Sequence, residues 1–266
     1  MGIKTTLSLT QAQKLFPKLF IKKLIPTKYG IIDTTYIMQT DKNTYILKRF
    51  ENSSHEKQQT QKQLSLFLFN CYISHPKLLK EYDSWYIYEF IYGKHPYLSN
   101  YRVLQTMARY IKRMHQCSSN NKHIKINSHI YERINIDSEL KKIKKKSYYN
   151  YKHLSSLKNL DYKYDGIIHG DLFPDNIIIY KNNIHILDIV DMAKGSFLFD
   201  IAVFLLMLYK HKNHHHYIQY FIQVYNQNSS HKICLEKLLK SLDEACKFYS
   251  LIRFSTLKKI NTPKIC

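Results

Sequence analysis

The sequence predicts an α+β fold, with a strand-rich N-terminal region and a mostly helical C-terminal one. Two observations carry this. Short β-prone runs bounded by turn residues crowd the first third of the chain, and apolar residues at helical spacing dominate the last. The regular alternation of strand and helix that builds a parallel sheet is missing between them. At 266 residues with 44% apolar content, the chain can bury a substantial core, as one large domain or two intimate lobes. The division falls at Tyr92-Gly93, giving regions 1–92 and 93–266.

The elements follow in order. Leu9, Ala12, Leu15, Phe16 and Leu19 have helical spacing, which Pro17 interrupts. Tyr36 to Thr40 and Thr44 to Phe50 read as a hairpin across the turn Asp41-Lys42-Asn43. Glu56 to Tyr72 reads as a helix and Ser84 to Phe90 as a strand. Asn100 to Gln116 is an amphipathic helix, with Val103, Leu104, Met107, Tyr110, Ile111 and Met114 on one face. The stretch from Ser118 to Asp165 is polar and lysine-rich, with one helical run at Glu139 to Lys146. Strands return at Gly166-Ile167-Ile168, Asn176 to Tyr180 and Ile184 to Val190, the last two joined by a turn at Asn182-Asn183. From Asp200 onward the pattern is helical. His214-His215-His216 reads as a polar loop between helices, ahead of a metal-binding tract.

Composition narrows the function classes. The longest apolar run in the C-terminal half, Ile201 to Tyr209, is far short of a bilayer crossing, so no membrane role is expected. The N-terminus lacks the apolar stretch of a secretory signal. Five scattered cysteines argue for a reducing compartment and against a disulfide framework, which places the protein in the cytoplasm. The charge of +21 raises the prior for nucleic acid. The simpler reading is a lysine-rich composition, shared with the many Asn, Ile and Tyr residues. The run Lys141 to Lys146 is then a solvated face, and a nucleic-acid partner is not expected.

One stretch carries chemistry. His169-Gly170-Asp171-Leu172-Phe173-Pro174-Asp175-Asn176 is a polar loop between two apolar strands. Its Asp-x-x-x-x-Asn spacing matches the catalytic loop of kinases. Asp171 would receive the proton of an attacking hydroxyl, and Asn176 would offer its side-chain oxygen to Mg²⁺. Asp188, after the apolar run Ile184 to Leu187, is placed to serve the same metal. Asp200, in Phe199-Asp200-Ile201-Ala202, reads as a cap or as an anchor for the loop. His169 reads as loop-organising. Asp175 either shapes the loop or holds substrate, and Asp191 either faces the substrate or lies on the surface.

His-Gly-Asp-Leu-Phe-Pro-Asp-Asn, Leu187-Asp188 and Phe-Asp-Ile-Ala together resemble the phosphotransferase superfamily of aminoglycoside, choline and homoserine kinases. Asp-Leu-Phe-Pro-Asp-Asn, and the segment Pro26 to Tyr36, resemble the homoserine kinases in particular. The resemblance implies a bilobal protein-kinase-like fold: an antiparallel sheet lobe that holds ATP, and a larger helical lobe. It implies Asp171 as base, Asn176 and Asp188 as Mg²⁺ ligands, and Lys48 on the α and β phosphates. It places adenine against the backbone at Glu89 to Ile91. The glycine-rich phosphate loop is missing: only Gly30 precedes the hairpin, so Thr34 and Thr35 are expected to contact phosphate. Glu56 is the candidate partner for Lys48. The implied reaction is phosphorylation of a small-molecule hydroxyl, L-homoserine first, with choline or an aminoglycoside-like amino alcohol as alternative. A nucleic-acid-binding protein on an inactive kinase-like fold is the rival from another class. Oligomeric state is left open.

Overall fold

The computed structural model describes residues 4–27, 33–51, 55–120, 126, 128–181, 183–210 and 212–256. Gly30 lies outside them, as do Asn182 and the Glu56 side chain.

The first helix, α1 (Leu9–Leu15), opens with a capping box from Ser8 and Gln11 and ends before Pro17. Five strands then form an antiparallel sheet: β1 (Ile21–Pro26), β2 (Thr34–Thr40), β3 (Thr44–Arg49), β4 (Leu78–Tyr82) and β5 (Trp85–Glu89). Their order is β1-β2-β3-β5-β4, so β3, which carries Lys48, is central. Lys48 is therefore not on a sheet edge. One sheet face, with Tyr36, Met38, Leu47, Trp85 and Ile87, packs on Ala12 and Phe16 of the α1 segment as one apolar cluster. The other face carries Thr35, Lys48 and Tyr86, which stand opposite one another across three strands.

Helix α2 (His55–Asn70) lies between β3 and β4 in the chain, but Leu64, Phe67 and Leu68 are buried in the larger, C-terminal cluster. The centre of that cluster is α3 (Tyr101–Asn120), whose Leu104, Met107, Ile111 and Met114 are fully buried. Each such side chain contributes about 1.5–3 kcal/mol on leaving water. Then come α4 (Ile136–Lys146), α5 (Tyr148–Leu154), α6 (Phe197–Leu205), α7 (His214–Asn226) and α8 (Leu235–Thr256). Four short strands sit among them as two antiparallel pairs. β6 (Gly166–Ile168) pairs with β9 (Ala193–Gly195), and β7 (Ile177–Tyr180) with β8 (Asn183–Ile186). Among the described residues no helix is long and apolar enough to cross a membrane.

Three expectations need correction. The strand expected over Ile184 to Val190 stops at Ile186, because the backbone turns left-handed at Asp188 (φ 56°). His214 to His216 form the first turn of α7 instead of a loop. Cys71 and Cys117 are joined in a disulfide, with Cα atoms 5.7 Å apart. They are 46 residues apart in sequence, and only the packing of the end of α2 on α3 brings them together.

Candidate active site

The two short strand pairs place the loops. β6 delivers the chain into His169, and β7 takes it up again after Asn176. The β7–β8 ladder closes with Leu187 N–H donating to the Asn176 carbonyl at 2.8 Å. That bond sets Asp188 beside Asn176 at the open end of the hairpin, although the two are far apart in the chain. Aspartate tolerates the left-handed turn at Asp188 better than most residues.

The loop is pinned from beneath. Asp200 is fully buried on α6 and accepts from the N–H groups of His169 (3.2 Å) and Gly170 (2.8 Å) and from His115 Nε2 (3.1 Å). Burial opposes its charge, but these bonds and the His115 and His169 rings lower its pKa. His115 is itself stacked on Phe197 and bonded to the Tyr225 hydroxyl at 2.9 Å. Asp200 is therefore the loop anchor, and Ser196 is the cap of α6. His169 is also fully buried, with Nε2 donating to the Leu187 carbonyl at 2.8 Å and Nδ1 accepting from Asp171 N–H at 3.3 Å. Both ring nitrogens are engaged, so His169 organises the loop and ties it to the Asp188 strand. Gly170 has φ +69°, and a Cβ there would run into Ile130.

Asp171 faces the cleft. Asn176 Nδ2 donates to its carboxylate and to its carbonyl, each at 2.8 Å. That use of Nδ2 leaves the Asn176 amide oxygen to face a cation. Desolvation raises the Asp171 pKa, opposed by Arg133 and then His169. Arg133 closes a short 3-10 turn (Ile130–Arg133) docked beside β9, where Lys194 N–H donates to Ser128 O. Its guanidinium donates to the carbonyls of Gly170 (3.1 Å), His169 (3.4 Å) and Asp191. It thus joins the His169–Asn176 loop to the 3-10 turn Ile189–Asp191 that follows Asp188. From α8, the Tyr249 hydroxyl donates to the Gly170 carbonyl, and its ring packs edge-on against Phe173.

Lys48 spans the cleft and pairs directly with Asp188, and more loosely with Asp33 at 3.5 Å. Burial disfavours the Lys48 charge, yet Asp188 and Asp33 together raise its pKa. Burial likewise opposes the Asp188 carboxylate, and Lys48 outweighs it, so the Asp188 pKa is lowered. The Asp188 side chain stays 42% exposed, open to the cleft. Beside Lys48, the Tyr88 hydroxyl accepts from Gln61 Nε2 on α2, and burial pushes the phenol up to about 12.

The remaining expected residues divide. Thr35 shares the Lys48 face of the sheet. Thr34 does not: its hydroxyl accepts from the N–H groups of Lys4 and Thr5, at 2.9 Å each, and donates to Glu51. The expected phosphate contact from the Thr34 hydroxyl is corrected accordingly, because strand alternation turns that side chain to the opposite face. Glu89 ends β5, its N–H bonded to Lys77 O at 2.9 Å, and Ile91 lies in the connection that follows. Asp175 is exposed in the 3-10 turn Pro174–Asn176, and Asp191 is half-buried. Asp33, Arg133, Tyr249 and the Gln61–Tyr88 pair were not foreseen. Arg133 had one faint signal, being the one arginine between residues 118 and 165, amid lysines.

The model of the phosphotransferase enzyme family matches residues 24–233. The chain belongs to that family. Solved structures with the same fold include an amicoumacin kinase, hAmiN, in complex with AMP-PNP, Ca²⁺ and Ami. That alignment has a TM-score of 0.70 at 15% identity, over 96% of this chain and 89% of the other. The choline kinase LicA from Streptococcus pneumoniae aligns with a TM-score of 0.67 at 17% identity, over 91% and 88%. ADP-bound aminoglycoside phosphotransferase APH(2'')-Ib aligns with a TM-score of 0.62 at 15% identity, over 97% and 93%. No curated protein matches in sequence. The phosphotransferase thus has the kinase-like fold, with a five-stranded antiparallel sheet and a helical C-terminal part.

Proposed function

We propose that this phosphotransferase moves the γ-phosphoryl group of ATP onto a hydroxyl of a small molecule, with Asp171 as the base. The observation that carries the reading is the meeting of four groups. Asp171 and Asn176 of one loop, Asp188 after β8 and Lys48 of β3 converge on one place. The donor set fits Mg²⁺: a carboxylate open to the cleft and an amide oxygen, both hard ligands, with phosphate oxygens to complete the shell. Bound there, Mg²⁺ neutralises charge on the phosphates. Asp188 and Asn176 would hold it. Lys48 leaves its pairing with Asp188 to steady the α and β phosphates, and Thr35 lies beside it. Adenine sits against the backbone from Glu89 to Ile91. Asp171 orients the acceptor hydroxyl and takes its proton, with Asn176 fixing the carboxylate.

For the acceptor, we infer L-homoserine, giving O-phospho-L-homoserine for threonine biosynthesis, from the Asp-Leu-Phe-Pro-Asp-Asn likeness. Arg133 is the guanidinium beside Asp171 that a carboxylate-bearing acceptor would need. One observation favours the alternative, an amino alcohol of the choline or aminoglycoside kind. Arg133 already donates to three backbone carbonyls, whereas Asp175 and Asp191 offer carboxylates to an ammonium group. ADP release over a panel of L-homoserine, choline and aminoglycosides decides between them. Turnover with none of these, together with salt-sensitive RNA binding, would overturn the kinase reading. Asp171→Asn should lower turnover by about 10²–10⁴-fold and leave ADP binding intact. Full activity in that variant would mean the base is elsewhere.

A further inference from the structure

A concavity lies between α2 and β4; neither Lys48 nor Asp188 lines it, and its volume is about 720 Å³. This is within the range of small-molecule sites. Its outer wall is a stripe of large apolar side chains on α2 and just past its end. Leu66, Phe69 and Tyr72 are 62%, 68% and 85% exposed. Such a stripe is costly to leave facing water and is a common mark of a binding surface. Lys62 and Lys77, both exposed, stand among the lining residues. Glu81 reaches Lys62 at 3.5 Å, while Lys77 lies next to the Ser65–His75 pair.

The inner wall is made by Tyr88 and Ile189. Both adjoin the proposed phosphate and metal groups. Tyr88 is the residue beside Lys48 whose hydroxyl is held by Gln61, and Gln61 also lines the cavity. Ile189 directly follows Asp188 and begins the turn against which α2 packs. An occupant would therefore press on one neighbour of each member of the Lys48–Asp188 ion pair, without touching either member.

We propose that this cavity is a second ligand site, for a small aromatic molecule bearing an anionic group, and that its occupancy is coupled to nucleotide binding. The apolar wall takes the ring system and the lysines take the anion. The coupling rests on the assignment of Lys48 and Asp188 to nucleotide and metal. Binding at the cavity does not rest on it.

The probe is 1-anilinonaphthalene-8-sulfonate, an aromatic sulfonate, titrated by fluorescence into the full chain. A saturable single site is expected, weakened at least tenfold by Phe69→Glu and by Lys77→Glu. Phe69 and Lys77 are surface residues, and circular dichroism checks that both variants fold. Calorimetry should show saturating probe changing MgADP affinity at least threefold, and MgADP changing probe affinity by the same factor, as linkage demands. Full displacement of the probe by MgADP would place it in the cleft and overturn the proposal. So would undiminished binding in both variants. A dimer in light scattering that Phe69→Glu dissociates would give the stripe to a second copy instead. Probe binding with MgADP affinity unmoved would overturn the coupling. Failure to bind MgADP at all, with the probe still bound, would sink the nucleotide assignment and the coupling with it, and would leave the cavity site standing.

Discussion

At Asp171, burial and charge compete for one proton. Desolvation raises its pKa, and Arg133 is the largest force pulling it back. A base works ionised, so turnover should fall as pH drops through this raised pKa, above the ordinary aspartate value of 3.8. Removing the Arg133 charge should move that acid limb of kcat/KM to higher pH. Arg133→Met tests it, and Arg133→Lys separates charge from geometry. The lysine variant should keep the limb near its original place while kcat falls, since an ammonium cannot bond three carbonyls in the guanidinium's fan. An unmoved limb in Arg133→Met would show that Asp171 does not feel this cation. Asp171, Asn176 and Asp188 were legible in the sequence because the first two share one loop and the third ends an apolar strand. Arg133, Tyr249 and Asp33 were not. Each acts from a remote segment, and only packing brings it to the loop. The sequence likewise does not say which of Thr34 and Thr35 shares the Lys48 face, since adjacent strand residues face opposite ways; the Thr34 hydroxyl bonds Glu51 on the other face.

Among the elements, α6 does most to anchor the His169–Asn176 loop, through Asp200. Its carboxylate holds two loop N–H groups and His115 in a dry interior. An asparagine offers one oxygen in its place and leaves donors unpaired. Asp200→Asn should therefore cost about 3–5 kcal/mol in urea unfolding and collapse turnover. The Asp200 pKa is depressed below 3.8, so the stability it gives is fully present above that value and is lost as pH falls through the depressed one. The gap between parent and variant should thus be constant near neutrality and shrink only in strong acid. A gap that grew on acidification would contradict the ionised assignment. The disulfide acts on a different pair, α2 and α3. It closes a loop spanning 46 residues, and Cys117→Ser should lower stability by about 2–4 kcal/mol. Loss of less than half of that would show that packing alone holds α2. Most helices and the central strands were legible from their periodicity, but α5 was not, lying in the polar, lysine-rich stretch after Ser118. β1 and β4 were not, because both are edge strands with mostly exposed, lysine-bearing faces that show no alternation. β9 has three residues, too few for any pattern.

Over the whole molecule, two apolar clusters lie on either side of the cleft, one beneath the sheet and one among the helices. The sequence showed this as a change of period along the chain, from strands to helices. It did not show that α2, which sits between strands, buries its apolar face in the helical cluster. The remaining global property is charge. Forty-one basic residues outnumber 20 acidic ones, giving +21, while the cleft itself gathers Asp33, Asp171, Asp188 and Asp191 around Lys48 and Arg133. On the proposed function, the local carboxylates would hold a divalent cation, and the surrounding positive surface would attract the polyphosphate that brings it. Long-range attraction acts on encounter and leaves the bound contacts unchanged, so salt should slow association and spare dissociation. Stopped-flow binding of a fluorescent ADP with Mg²⁺ should show kon falling severalfold between about 0.02 M and 0.2 M salt, where the screening length shrinks from roughly 20 Å to under 10 Å. The off-rate should move much less. A flat kon would mean that the basic excess is spread too evenly to steer nucleotide and is compositional in origin. A fall in kon that survives Lys48→Met would instead assign the steering to the whole surface, because removing one cation from such an excess barely changes the distant field.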